Sequence, residues 1–208
     1  MKSLIKMSQA VAAASLLFIS ATAVAVPITT LYSTGVDDSG TPLSLGANEQ
    51  HYEIVAGSPS IFTPVVTSNS AYMPSDASSS WISLPSGLSS ATYQTTFDLT
   101  GFDVSSASLD LKIAVDNTMT DVLINGVSTG FSIVFGYPAF QSWSNLTVSN
   151  NFLSGVNTLQ FLAVNSGGPG AFRVEASGDA TAVSEPGVGV LFGLGLMGTT
   201  QRQAFRLD

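Results

Sequence analysis

The 208-residue chain predicts an all-β protein: an antiparallel β-sandwich of jelly-roll type, flanked by an N-terminal signal helix and a C-terminal apolar tail. Three observations carry this expectation. Only 10% of the residues are charged, and Ser, Thr and Gly abound where long helix formers would otherwise stand, a composition suited to short strands joined by polar turns. Apolar and polar residues alternate with period two in several stretches, and nothing looks helical between the two ends. Eight or nine strand candidates follow one another without crossover helices, the arrangement that buries two sheet faces against each other.

The N-terminus supplies the signal helix. Lys2 and Lys6 form a basic region, residues 10 to 19 are almost wholly apolar, and Ala23-Val24-Ala25 is the small-x-small pattern that a signal peptidase cuts. Residues 1 to 25 are therefore expected to be removed on export, and the mature chain to begin at Val26. A buried helix in this place would have nothing to join, because Pro27 and the strand-like Thr29-Thr30-Leu31-Tyr32 follow at once.

The sandwich is expected over residues 26 to 183. Strand candidates cover residues 51 to 56, 61 to 67 and 81 to 84, with Pro59, Pro64, Pro74 and Pro85 keeping this half irregular or at sheet edges. Tyr93, Thr95, Phe97 and Leu99 alternate with Gln94, Thr96 and Asp98. Leu109, Leu111, Ile113 and Val115 alternate with Asp110 and Lys112, and Phe172, Val174 and Ala176 with Arg173 and Glu175. Each set predicts a strand with one face buried and one wet. Residues 144 to 148 predict another strand, and the apolar run 159 to 164 a more central one. Asn125-Gly126, between residues 121 to 124 and Val127-Ser128, is the strongest hairpin signal, since both residues tolerate the positive φ of a type I′ turn.

Charge narrows the partners. Of six basic residues, Lys2 and Lys6 belong to the signal and Arg202 and Arg206 to the tail, so the domain keeps Lys112 and Arg173 against twelve of the fourteen acids. Nucleic acid and anionic lipid surfaces both require clustered Lys and Arg and are excluded. With no Cys in the chain, an exported domain holds together by packing or a metal ion, and thiol or zinc-finger chemistry is ruled out.

The tail begins at Ser184-Glu185-Pro186, continues as a Gly-rich apolar run to Gly198, and ends with Arg202 and Arg206. The run is shorter than the roughly 20 residues a membrane-spanning helix needs. In a degenerate form, with Ser184 where Pro is usual, this layout resembles the PEP-CTERM tail of Gram-negative surface proteins. That resemblance implies recognition by an exosortase-type sorting enzyme, transient membrane contact through the tail, and an address at the outer surface or in the extracellular matrix. A second resemblance rests on the run from Asp116 through Asn125-Gly126-Val127, then Gly155-Val156-Asn157-Thr158-Leu159, together with Gln50-His51-Tyr52 and Phe172-Arg173-Val174-Glu175. These look like the galactose-binding-like sandwich, a fold that hosts sugar-binding, structural and accessory roles alike.

No catalytic constellation is visible. His51 is the single histidine, and there is no metal-binding His pair and no nucleophile elbow. Asp116 and Asp121 are the carboxylates to weigh for glycoside hydrolysis, yet they flank a turn, where Asp and Asn serve Asx hydrogen bonds. Calcium is the candidate cofactor, with Asp37 and Asp38 in the Asp37-Asp38-Ser39-Gly40 loop as oxygen ligands. Sugar binding would use Tyr137, Phe140 and Trp143, because aromatic rings offer broad apolar area to the C–H face of a pyranose. The leading expectation is an exported structural or adhesive protein without catalysis. A carbohydrate-binding module for extracellular polysaccharide is the alternative, and a glycan hydrolase the second.

Overall fold

The computed structural model describes residues 24–56, 62–84, 87–136 and 138–183. Residues 1 to 23 of the expected signal segment and all residues of the expected sorting motif, Ser184, Glu185, Pro186, Arg202 and Arg206, lie outside them, as does Tyr137. Ten strands are described: β1 (Ala25–Pro27), β2 (Glu53–Ala56), β3 (Ile82–Ser83), β4 (Ser90–Asp98), β5 (Phe102–Asp116), β6 (Thr118–Ile124), β7 (Val127–Ser128), β8 (Ser144–Val148), β9 (Val156–Val164) and β10 (Ala171–Ala182). A four-residue helix, α1 (Pro138–Gln141), corrects the expectation that nothing is helical. It is a single turn, too short to leave a period in the sequence.

All pairs are antiparallel, in two sheets. The first runs β1-β10-β5-β8, with β3 also on β10; the second runs β2-β4-β9-β6-β7. From β3 to β10 the chain crosses between sheets at nearly every step, which is the double Greek key of a jelly roll. Four connections therefore gather at one end of the sandwich: those between β3 and β4, β5 and β6, β7 and β8, and β9 and β10. The other three gather at the opposite end.

The predicted alternations place the core between the sheets. Tyr93, Phe97, Leu109, Leu111, Ile113, Phe161, Phe172 and Val174 are all buried, and each such side chain contributes about 1.5–3 kcal/mol by leaving water. Phe172 of the first sheet meets Tyr93 and Phe161 of the second, each at 4.8 Å between ring centroids. These contacts tie the two layers together. The Asn125-Gly126 turn has φ of 52° and 78°, as a type I′ hairpin requires, with Ile124 facing Val127 in register.

Two strand expectations are corrected. Of the 61 to 67 candidate, the described residues 62 to 67 make single bridges, Phe62 to Ile54, Val65 to Asn48 and Val66 to Ile82, because Pro64 in their midst has no N–H for a ladder. Thr29 and Thr30 form a turn; the strand lies just before them, where Ala25, Val26 and Pro27 face Thr181, Ala180 and Asp179.

A third correction concerns β10. Arg173 was expected on a wet face and is fully buried. The chain from Tyr72 to Trp81 folds back over the outside of the first sheet, and Tyr72 and Trp81 pack there on Ala114 and Ala171, with Met73, Phe140 and Trp143 around them. Arg173 lies beneath this cover. Its Nε donates to Ser79 Oγ at 2.7 Å and its Nη1 to the Pro74 carbonyl at 2.6 Å. Nη2 is 2.9 Å from Asp76 Oδ2.

Candidate functional site

The end of the sandwich that carries four connections also carries a cavity of about 730 Å³. Its wall is the turn after β9, residues 165–170, facing the segment between β3 and β4. Asn165 builds that turn: its Oδ1 accepts from the Gly167 amide at 3.0 Å, and its Nδ2 donates to the Gly168 carbonyl at 3.1 Å. The Asn165 amide donates to the Ser89 carbonyl at 2.8 Å, joining the two walls. Gly170 lets them meet closely, since a Cβ there would stand 2.9 Å from both Asn165 Nδ2 and Leu84 Cδ2 and one of these side chains would have to shift. The lining offers hydroxyls from Thr67, Ser83, Ser89 and Ser166, the Asn165 amide, and glycine backbone. Among the described residues no ionisable side chain lines it.

Asp116 and Asn117 support this end from the β5–β6 side. Asn117 Oδ1 accepts from the Ser166 amide at 2.8 Å. Asp116 accepts from the Tyr72 hydroxyl at 2.9 Å and from Asn117 Nδ2, and the Tyr72 hydroxyl also lies 3.0 Å from the Pro169 carbonyl. Burial raises the Asp116 pKa above the ordinary carboxylate value, partly offset by the Tyr72 bond. Burial, then the bond to Asp116, pushes the Tyr72 phenol upward too. Asp121 sits on β6, half-buried, with its Oδ1 taken by the Val122 amide at 2.8 Å. Neither aspartate lines the cavity.

The aromatic residues named from sequence separate. Phe140 and Trp143 are half-buried in the cover over the first sheet, and the Arg173 guanidinium carbon sits 4.7 Å from the Trp143 ring centroid. That cation holds one face of the indole. Among the described residues of this connection the most open aromatic side chain is Phe135, 65% exposed beside Val134 at 80%. Phe135 was missed because it interrupts no pattern: it follows Ile133, which is buried against Met119 by a bridge.

Asp37 organises its own loop. Its Oδ1 accepts from the Ser39 amide at 2.9 Å, the Ser39 hydroxyl at 2.6 Å and the Thr41 amide at 2.9 Å. The Ser39 hydroxyl, then the Thr41 amide, hold its pKa below the ordinary value. Asp38 points outward, with its side chain 90% exposed and Oδ1 3.8 Å from His51 Nε2. Among the described residues no three His, Cys, Asp or Glu side chains gather as a metal ion would require.

The Asn125-Gly126 and Gly155-x-Asn157 segments lie at the opposite end and act on structure. Asn157 is fully buried; its Oδ1 accepts from Asn125 Nδ2 and the Leu153 amide, each at 2.8 Å, and its Nδ2 donates to the Leu153 and Gly155 carbonyls at 2.8 Å. Asn125 Oδ1 in turn accepts from the Thr158 amide at 2.9 Å. The two asparagines clamp the hairpin to the start of β9.

No family model and no curated protein matches this chain. Among solved structures it is similar to CBM35 from Paenibacillus barcinonensis, with 14% identity and a TM-score of 0.36 over 61% of this chain and 98% of that one. It is similar to CBM35 from Cellvibrio japonicus Abf62, with 12% identity and a TM-score of 0.38 over 65% and 93%. A third similarity, with 12% identity and a TM-score of 0.31 over 77% and 98%, is to the CBM36-1 domain of a multidomain xylanase from the hindgut metagenome of Trinervitermes trinervoides.

Proposed function

We propose that this chain is an exported, non-catalytic sandwich that binds neutral polysaccharide, holding it at the outer cell surface or in the extracellular matrix. The observation that carries the reading is the cavity at the four-connection end, lined by hydroxyls, an amide and glycine backbone without an ionisable side chain among the described residues. A concave polar surface of that kind suits a ligand rich in hydroxyls and free of charge. A phosphate or carboxylate ligand would call for cations, and the domain's two, Lys112 and Arg173, are committed elsewhere: Lys112 Nζ lies 3.0 Å from Glu175, and Arg173 is buried under its cover.

The absence of catalysis is supported by Asp116 and Asp121, whose carboxylates are each bonded locally and stand outside the cavity. Glycoside hydrolysis needs two carboxylates facing across a cleft. Export is supported by the basic, apolar and small-x-small succession before Val26, and sorting by the Glu185-Pro186 tail. A holding role in the matrix joins the adhesive and the glycan-binding expectations in one activity.

Gel retardation of the secreted protein in neutral polysaccharides tests the reading. Wild type should be slowed, and Ser89→Trp, which fills the cavity from an exposed position, should migrate freely. Equal retardation of both would remove the cavity from the binding. For export, the secreted protein should begin at Val26, and Glu185→Ala should accumulate as a longer form in an exosortase-bearing host.

A further inference from the structure

A second cavity, of about 340 Å³, lies at the other end of the second sheet, between Tyr32, Gln50, His51 and the Thr95–Asp98 part of β4. Its origin is a short edge strand. β2 pairs with Thr92, Tyr93 and Gln94 and then stops, so the rest of that β4 edge has no ladder partner. The Asp98 amide on it donates instead to Thr30 Oγ1 at 2.8 Å. Thr96, two residues away, directs its own N–H and C=O to the same edge by the alternation of an antiparallel strand.

Against this edge stands an aromatic pair. The Tyr32 and His51 rings are parallel within 3° at 3.7 Å between centroids. Both are held from behind: the Tyr52 hydroxyl donates to the Tyr32 carbonyl at 2.8 Å, and the His51 amide donates to Glu49 Oε1 at 3.0 Å. The His51 side chain is 10% exposed, and its Nε2 has no hydrogen-bond partner; Asp38 Oδ1, at 3.8 Å, is beyond bonding distance. The stacked Tyr32 and His51 pair, the β4 edge at Thr96 and the exposed Gln50 thus line one small cavity. Flat apolar area with convergent polar groups is what a single pyranose ring presents itself to, through its C–H face and its hydroxyls.

We propose that this cavity is a second site for a neutral pyranose, so that the domain holds two glycan segments at once. The proposal rests on the glycan-binding reading above and adds a place and a valency to it. The two cavities lie at opposite ends of β4, eight residues apart along the strand from Ser90 to Asp98, or about 27 Å at the rise of an extended chain. One sugar ring cannot bridge them. Two separate segments can bind at that spacing, whether from one polysaccharide or from neighbouring ones, and two weak sites in one body raise avidity without new contacts.

The single histidine of the chain makes the test direct, because its imidazole gives one set of NMR signals. The full secreted protein is titrated with D-glucose, D-galactose, D-xylose and N-acetyl-D-glucosamine. The His51 imidazole and the Thr96 amide should shift saturably with at least one of them, Tyr32→Ala should weaken that response about tenfold, and Gln50→Ala, exposed and outside the core, should weaken it while leaving the fold intact. The amides of Asn165, Ser166, Gly167, Gly168 and Gly170 should respond in both variants as in wild type. His51 signals that stay fixed while residues 165–170 shift would overturn this proposal and leave the first cavity standing. His51 shifting alone would support it and remove the first cavity; no shift at either place would overturn both. Movement of Thr96 without His51 would mean pairing along the strand edge and would also overturn the pyranose site.

Discussion

Replacing Arg173 with Ala should be among the most costly single changes away from the two cavities. The side chain is fully buried and holds Ser79 Oγ at 2.7 Å, the Pro74 carbonyl at 2.6 Å and Asp76 at 2.9 Å, with Trp143 against its face. Removing one member of a buried charged network typically costs about 3–5 kcal/mol, because the partners stay behind without compensation. The Asp76 share is small: its side chain is 52% exposed, and exposed pairs contribute about 0–1 kcal/mol. Most of the loss therefore comes from the Pro74 carbonyl, Ser79, the Trp143 contact and the space left beneath the cover. At about 2–4 °C per kcal/mol for a domain of this size, the melting midpoint should fall by roughly 6–20 °C. Asp76→Ala should lower it by only a few degrees, and Arg173→Lys should fall between, since an ammonium keeps the charge without the planar fork. Calorimetry of the three variants reads this order. An Arg173→Ala midpoint within two or so degrees of wild type, or one no lower than that of Asp76→Ala, would refute the assignment of stability to the buried guanidinium.

Gly35 and Gly126 both have positive φ, 69° and 78°, but a Cβ on Gly35 would stand 2.5 Å from Ser80 Cβ whereas one on Gly126 meets nothing within 4 Å. In chemical denaturation, Gly126→Ala should cost about 1–2 kcal/mol for the left-handed backbone alone, and Gly35→Ala clearly more; equal losses would show that the contact relaxes freely. Asp116 has a raised pKa in the fold from burial, so its contribution is fully present below the ordinary carboxylate value and is lost as pH rises through the raised one. The midpoint of wild type relative to Asp116→Asn should therefore fall between strongly acidic and neutral pH, and a constant or rising difference would contradict it. With Asp37 Oδ1 taken by three donors of its own turn and no third acidic or His ligand gathered there among the described residues, millimolar Ca²⁺ should leave the midpoint unchanged. A rise that Asp37→Asn abolishes would place an ion there.

Period-two patterning made β4, β5 and β10 legible because each has one face on the core, and Asn125-Gly126 announced its turn because few residues accept that backbone. The same patterning misplaced Arg173. Alternation reports which way a side chain leaves its strand, and it carries no information about a distant segment, here the one bearing Tyr72 and Trp81, that returns to cover the outer face. The candidate sites were harder still. The cavity by Asn165 is built from backbone and hydroxyls in a Ser-Gly-Gly-Pro-Gly stretch that reads as an ordinary turn. Tyr32 and His51 come from separate loops and meet beside the β4 edge that β2, which begins only at Glu53 opposite Gln94, leaves without a ladder partner, a consequence of register that no local pattern encodes.

The pairing of β1 with the far end of β10 sets how the molecule is presented. Val183 leaves the sandwich beside Gly101, to whose carbonyl its amide donates at 2.8 Å, whereas Ala171, at the other end of the same strand, faces Asp116 under the first cavity. Any support attached through the chain after Val183 therefore grips the end farthest from that cavity. The twelve residues of β10 act as a spacer of about 35–40 Å at the rise of an extended strand. If the protein is held at a surface through that chain, as proposed, the Asn165 turn would face away from the support and the Tyr32 and His51 cavity toward it, so glycan captured at the two ends would lie at two different heights above the surface.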